Sequence, residues 1–425
     1  MKKCFRASAA ILITIFLCVL CNFAAFLIDT EDMRQHTWQG CLMLGEQQGT
    51  PQMVGGFASS QLDNFTSVLI LKTAGYVGDE TLVRKALCGF RVDAAAQPGQ
   101  SEWDAFCNYE SGQNLPTGGL SYSRYWHGYT LPLRLLLCVL NVANIQMLLY
   151  FAQLALFIFV LHMMNKRGLK RLIPGFFLAY FLLMPFSSSI CLQYVPVTML
   201  MLGACAAVLL WDDKIDSFIG MPGFFILLGI LTNYFDLLTF PLVALGFPIA
   251  LLLALRLQTN DSFLRLFMMT AVCGIGWALG YAGMWMFKWV LVDMISEYRM
   301  IWSLMTQIFL RTSNHGAGSE ISRIGVIMQN LNVILAKSSY LLLIAITGIW
   351  TLIPSVKACI KRKAIFDARA LMLLIVAAVP LVWYFVMANH SFDHTYYTYR
   401  NVTMSVMAGF AFIICCLKEK SGDAL

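Results

Sequence analysis

Lys2-Lys-Cys-Phe-Arg6, followed by Ala7-Ser-Ala-Ala-Ile-Leu-Ile-Thr-Ile-Phe-Leu-Cys-Val-Leu-Cys-Asn-Phe-Ala-Ala-Phe-Leu-Ile28, sets the class of this chain. At about 1.5 Å per residue, a helix over the apolar part covers a hydrocarbon core of roughly 30 Å, and the basic residues before it hold that end in the cytoplasm. A signal peptide opens in the same way. Here no small-x-small cleavage site follows Ala24-Ala25, and Cys21 lacks the small residue that precedes a lipoprotein cysteine. An uncleaved first span is expected.

Composition extends that reading to the whole chain. With 59% hydrophobic and 12% charged residues over 425 positions and a mean hydropathy of +0.69, a soluble globular protein is excluded. Further apolar runs near Ile145–Met164, Ile173–Ser188, Val195–Trp211, Phe218–Thr232, Leu237–Leu257, Leu266–Phe287, Tyr340–Val356, Ala370–Met387 and Val402–Leu417 bring the expected spans to about ten. The expected fold is thus an all-α integral membrane protein with about ten transmembrane helices and a long first extracytoplasmic loop. Its divisions are residues 1–28 (first span), 29–144 (outer loop with surface helices), 145–287 (spans two to seven), 288–339 (second outer loop) and 340–425 (spans eight to ten).

Orientation comes from the basic residues. Lys166/Arg167/Lys170/Arg171, Lys214, Arg256/Arg265, Lys357/Lys361/Arg362/Lys363/Arg369 and Lys418/Lys420 join the N-terminal cluster at alternate ends, while the short loops Ser187–Tyr194 and Asn233–Asp236 hold no Lys or Arg. Both termini are therefore expected in the cytoplasm. The net charge of +7 is accounted for by anionic headgroups as partners, and no nucleic-acid-binding pattern is present. Most of the thirteen Cys fall inside spans as small apolar packers; a Cys88–Cys107 bridge in the outer loop is optional.

Within the first outer loop, Asp32–Leu44 and Leu62–Ala74 suit short helices lying on the membrane, and Gly45–Gly56, Ala94–Gly99 and Thr117-Gly-Gly119 read as turns or joints. Leu131–Leu140 is too short to span and is expected as an interfacial or re-entrant helix that sets Arg134 near the headgroups.

Polar chemistry gathers in a few places, all expected on the outer side. Asp29, Glu31 and Asp32 follow the first span, where half-apolar surroundings raise carboxylate basicity; Asp63 is a second candidate base. An ordinary acidic helix end has the same residues. Arg124, Trp126, His127 and Tyr129 combine a planar anion binder, a titratable donor and aromatic faces suited to sugars or an isoprenoid chain, whereas an interfacial aromatic belt accounts for Trp and Tyr alone. His390, His394, Tyr397, Tyr399 and Arg400 repeat that chemistry, with the two His expected on one helix face. Asp393 lies beside them, so a divalent metal is a candidate cofactor, but two His without a third placed ligand favour anion binding. Glu297-Tyr-Arg299 and Thr312–Ser319 mark the second outer loop, and Asn233-Tyr-Phe-Asp236 supplies another carboxylate. His162, at a cytoplasmic end, reads as structural.

This layout resembles the GT-C superfamily of polytopic glycosyltransferases, which includes the protein O-mannosyltransferases and the aminoarabinose transferase of lipid A. More narrowly, Tyr122-Ser-Arg-Tyr-Trp-His-Gly-Tyr129 with Arg134, and His390, His394 and Tyr399-Arg400, look like the motifs of an uncharacterised group of Gram-positive membrane proteins placed near those enzymes. Mannosyltransferases place a tight Asp-Glu pair after the first span, but Thr30 separates Asp29 from Glu31-Asp32 here. The resemblance implies transfer of a sugar from a polyprenyl-phosphate donor to an extracytoplasmic acceptor. Asp32 or Asp29 would be the general base, and Arg124, His127, His394 and Arg400 would neutralise the phosphate. No nucleotide-binding motif occurs. The rival readings are a transporter or flippase for an anionic lipid or solute, which needs ionisable groups at the bilayer midplane, and a non-catalytic scaffold of the cell envelope. Sugar transfer requires the three polar stretches to meet in one pocket.

Overall fold

A computed structural model describes residues 2–47, 49–92, 119–296, 299–316, 318–360 and 364–419. Cys107, the Ala94–Gly99 turn, residues 117–118 and 297–298, the basic residues 361–363 and Lys420 lie outside them.

In chain order the helices are α1 (Lys2–Ala25), α2 (Glu31–Glu46), α3 (Asn64–Ala74), α4 (Leu82–Cys88), α5 (Thr130–Leu137), α6 (Val142–Lys166), α7 (Ile173–Leu182), α8 (Pro185–Ile190), α9 (Val195–Phe218) and α10 (Gly220–Phe235). There follow α11 (Leu242–Arg256), α12 (Phe263–Ile295), α13 (Met300–Arg311), α14 (Arg323–Leu335), α15 (Ser338–Ile360), α16 (Leu371–Val386), α17 (Ala388–Asp393), α18 (Thr395–Thr398) and α19 (Val402–Cys415). Three short antiparallel ribbons pair β1 (Phe90–Val92) with β2 (Gly119–Ser121), β3 (His315–Gly316) with β4 (Ser319–Glu320), and β5 (Ala364–Phe366) with β6 (Leu417–Glu419).

Five of these helical stretches are long and apolar enough to cross a membrane: Lys2–Ala25, Val142–Lys166, Val195–Phe218, Phe263–Ile295 and Ala368–Val386. A sixth is reached if α14 and α15, bent by 78°, count as one span; α10 and α11 are apolar but shorter. The architecture is therefore compatible with an all-α membrane protein. One expected span, Ile173–Ser188, is broken into α7 and α8, because Met184 takes the left-handed conformation (φ 55°) ahead of Pro185. A break of this kind survives in an apolar setting only where its freed carbonyls find donors. Leu182 accepts from the Tyr399 hydroxyl and Leu183 from Arg400 Nε.

Ion pairs tie the basic helix ends together. Arg167 and Arg256 both reach Asp212, at 2.8 and 3.4 Å, Lys3 stands 4.0 Å from Asp216, and Arg369 binds Asp367 at 2.8 Å and the carbonyls of Leu257, Thr259 and Asp261. These contacts join the start of α1, the ends of α6, α9 and α11, and the approach to α16. The opposite ends of the same helices carry the folded first loop, and will be called the loop end.

Two expectations for that loop are corrected. The helix α3 does not lie on a surface: most of its residues are buried, because α2, α5 and β1 pack around it. Arg134 does not stand near headgroups either. It is 1% exposed, and its guanidinium donates to the carbonyls of Ala25, Ile28, Ala74 and Tyr76, stapling the end of α1 to the end of α3. The reason is the shortage of donors at two helix C-termini, whose last carbonyls have no intrahelical partner.

Close helix contact depends on glycine. A Cβ at Gly229 of α10 would lie 2.1 Å from the Trp277 carbonyl of α12, and one at Gly280 would lie 2.2 Å from the Ile226 carbonyl. Small residues allow such backbone approach between apolar helices. Gly229→Ala is expected to cost about 1–3 kcal/mol, read as a lower unfolding midpoint in detergent, because only backbone could yield. Gly283→Ala, at a position with open space around it, should show no loss.

Candidate functional site

The aromatic motif is shaped by the β1–β2 ribbon. Tyr122 N–H donates to Gly89 O at 3.0 Å and Ser123 Oγ to Cys88 O at 2.9 Å, after which His127, at φ 57°, turns the chain inward. The His127 ring lies 2.7 Å from Tyr122 O through Nε2 and 2.8 Å from the Tyr129 hydroxyl through Nδ1. A carbonyl can only accept, so Nε2 carries the proton and Nδ1 receives the Tyr129 hydrogen. Burial, and then Lys288, lower its pKa to about 3, so the ring is neutral. Trp126 is enclosed: its Nε1–H donates to Met284 O at 2.8 Å and Lys288 Nζ stands 4.9 Å from the ring centre. Neither Trp126 nor His127 presents a free polar edge.

The residue that joins the separated stretches is Arg311, at the end of α13. It reaches His390 Nδ1 at 2.6 Å and the Tyr125 hydroxyl at 3.2 Å. His390 is again a fixed neutral tautomer, because its Nε2 donates to Leu238 O at 2.8 Å and burial, reinforced by Arg311, holds its pKa well below the usual value. Leu238 itself has φ 63°. It belongs to the turn in which Asp236 accepts from Thr239 N and Oγ at 2.9 and 2.7 Å and from the Tyr281 hydroxyl at 3.1 Å. Burial outweighs these bonds and raises the Asp236 pKa to about 6.

Asp63 lies in the same cluster. Its carboxylate caps α3 through Thr66 N at 2.8 Å and accepts from Gln193 Nε2 at 2.6 Å and the Tyr396 hydroxyl at 3.0 Å. Arg400, fully buried, donates to the carbonyls of Leu183, Tyr396 and Ser59 and to Ser187 Oγ, with its guanidinium 4.4 Å from the Tyr194 ring centre. Four of its five N–H groups are spent on the protein, as is the Tyr399 hydroxyl. His390 and His394 do not share a helix face, because α17 ends at Asp393; their rings nevertheless meet with centroids 4.9 Å apart. Burial first, and Arg311 next, lower the His394 pKa.

The structure thus brings Asp63, Asp236, His127, Tyr129, His390, His394 and Arg400 to the loop end and links them through Tyr125, Tyr396 and Arg311. Arg124 is half-buried beside them, its carbonyl accepting from the Trp285 indole at 2.9 Å. Asp29 and Asp32 are not brought in. Both are exposed in or before the first turn of α2, where Arg34 holds Asp29 at 3.2 Å, and no hydrogen bond or ion pair among the described residues joins them to the cluster. The sequence reading passed over Arg311, whose signal was the amphipathic stretch 300–311 ending in a cation.

Arginines with carboxylate partners occur at both ends, Arg34 among them at the loop end. Arg167, Arg256, Arg265 and Arg369 each have an aspartate partner, whereas Arg124 and Arg311 have no carboxylate within 4.0 Å among the described residues. Strain gathers here as well: among the described residues the positive-φ non-glycine ones, His127, Met184 and Leu238, all flank the cluster. Left-handed conformation in such residues costs on the order of 1–3 kcal/mol each and concentrates at functional sites. Among the described residues no group of three His, Cys, Asp or Glu is placed to hold a metal ion.

An apolar cleft of about 610 Å³ runs from this cluster along α9 and α10. Tyr129, Leu192 and Phe235 line one end, and the last two adjoin Gln193 and Asp236; Ala207 and Phe224 line the other. From Phe235 to Phe224 the cleft follows α10 for about 16 Å. Comparison with family models, curated proteins and solved structures finds no match.

A raised carboxylate pKa has a sign. The protonated form of Asp236 is favoured by folding, so its contribution is full below the unfolded value near pH 4 and is lost as pH rises through about 6. Asp236→Asn is expected to remove up to about 2–3 kcal/mol of that decline, seen as a flatter unfolding midpoint between pH 4 and 7.

Proposed function

We propose that this chain crosses the membrane ten times with both termini in the cytoplasm, and transfers a sugar from a polyprenyl-phosphate donor at its outer, loop end. One observation carries the reading: an apolar cleft reaches Tyr129, and the cluster to which Tyr129 belongs holds Arg311, which has no carboxylate within 4.0 Å among the described residues. A lipid with an anionic head satisfies both halves of that arrangement. Its chain would lie between α9 and α10, and its phosphate would meet Arg311 and Arg124, because Arg134 and Arg400 are fully buried and already spend four of their five N–H groups on the protein.

The general base in this reading is Asp236. A carboxylate with a pKa near 6 is ionised at neutral pH yet a stronger base than an exposed one, which disfavours Asp29 and Asp32. The acceptor hydroxyl attacks the anomeric carbon and its proton passes to Asp236. The bond between that carbon and the phosphate oxygen breaks, and the electron pair leaves on the phosphate, where Arg311 offsets the growing charge.

Two variants test separate parts. In nanodiscs, Arg311→Ala is expected to weaken binding of a polyprenyl phosphate at least tenfold, while Arg265→Ala at the other end leaves it unchanged; equal affinity in wild type and Arg311→Ala rejects the phosphate site. Asp236→Asn should retain that binding and lose transfer from polyprenyl-phosphate hexoses by more than about a hundredfold.

A further inference from the structure

The helix α13 has three distinct faces. Leu304, buried, and Arg311 turn toward the protein, where Arg311 meets His390 and Tyr125. Ser303 and Thr306 stand on a second exposed side, with Leu310 between them. Between these, Ile301, Trp302, Met305, Ile308 and Phe309 make an exposed apolar stripe, with Trp302 76% and Phe309 68% accessible. The spacing i, i+1, i+4, i+7, i+8 places all five on one side of a helix.

What covers the stripe follows from the preceding helix. The 33 residues of α12 make it about 50 Å long, enough when tilted in the ordinary range to run from headgroup to headgroup across roughly 40–45 Å. Its lipid-side residues Met286, Val290 and Met294 are exposed up to its last turn. Asp293 Oδ1 then accepts from Met300 N at 2.6 Å, so α13 starts directly against that turn. The exposed apolar residues of α12 thus run to its last turn, against which the helix that carries the stripe begins.

We infer that α13 is an interfacial helix seated in the outer leaflet, with lipid as the partner of its apolar face, and that this seat holds Arg311 against the site. The second half rests on the reading of Arg311 as a ligand-binding residue; the first does not. Ser303 and Thr306 toward water, an apolar stripe toward acyl chains and a cation directed inward are what such a position requires. Removing the stripe from lipid would loosen Arg311 from His390, because Arg311 is the last residue of the helix that carries the stripe.

Photo-crosslinking separates the occupants. With p-benzoylphenylalanine at position 302 or 309 of the full chain in lipid nanodiscs, lipid adducts are expected at both and none at position 303. Cross-linked dimers, which would make a second copy the occupant, or equal yields at all three positions, overturn the lipid seat. For Arg311, Phe309→Asp is expected to weaken binding of a polyprenyl phosphate at least tenfold, with Ser303→Asp unchanged. If Phe309→Asp abolishes the adduct at 302 but binding persists, the lipid seat does not control Arg311. Failure of Arg311→Ala to alter binding would instead sink the phosphate site and leave the seat intact.

Discussion

Every carbonyl freed by a broken helix must find a donor inside the protein, and two buried arginines supply seven such bonds at the loop end. Arg400 answers Leu183, Tyr396 and Ser59, and Arg134 answers the last turns of α1 and α3. An unmet carbonyl in such surroundings costs on the order of 1–3 kcal/mol. The irregular backbone that gathers the candidate site is thus held by cations directed at the protein's own carbonyls.

Once these two are assigned to the scaffold, the remaining charge is informative. Aspartates pair with Arg167, Arg256 and Arg369 at the basic end, and their geometry is that of ordinary fastening between helix termini. At the loop end Arg311 leans on a neutral imidazole and a phenol, both weaker partners than a carboxylate. Asp63 and Asp236 are near, but each is engaged by hydroxyl and amide donors. The positive potential is therefore left for something else.

Much of the helical content was legible from apolar length alone, as in α1, α6, α9 and α12, because lipid-facing helices need little beyond composition. The break at Met184 was not, since its stability comes from Tyr399 and Arg400, more than two hundred residues away. His127, His390 and Arg400 stood out as polar residues in apolar surroundings, but their distances to one another depend on tertiary folding. Asp29 and Asp32 attracted notice through their position after the first span, and that position turned out to be open to solvent. Arg311 escaped notice because Lys288–Ser339 looked like a loop, its amphipathic segment being shorter than a span.

The three imidazoles of the cluster have a shared property. His127, His390 and His394 are all held toward the uncharged form by burial, and the first two have their tautomers fixed by a carbonyl on one nitrogen. Mild acidification of the surroundings would leave the first two rings as they are, so among these buried groups it is the Asp236 carboxylate, with its pKa near 6, that answers a fall in pH where an ordinary histidine-rich surface would gain charge on its imidazoles.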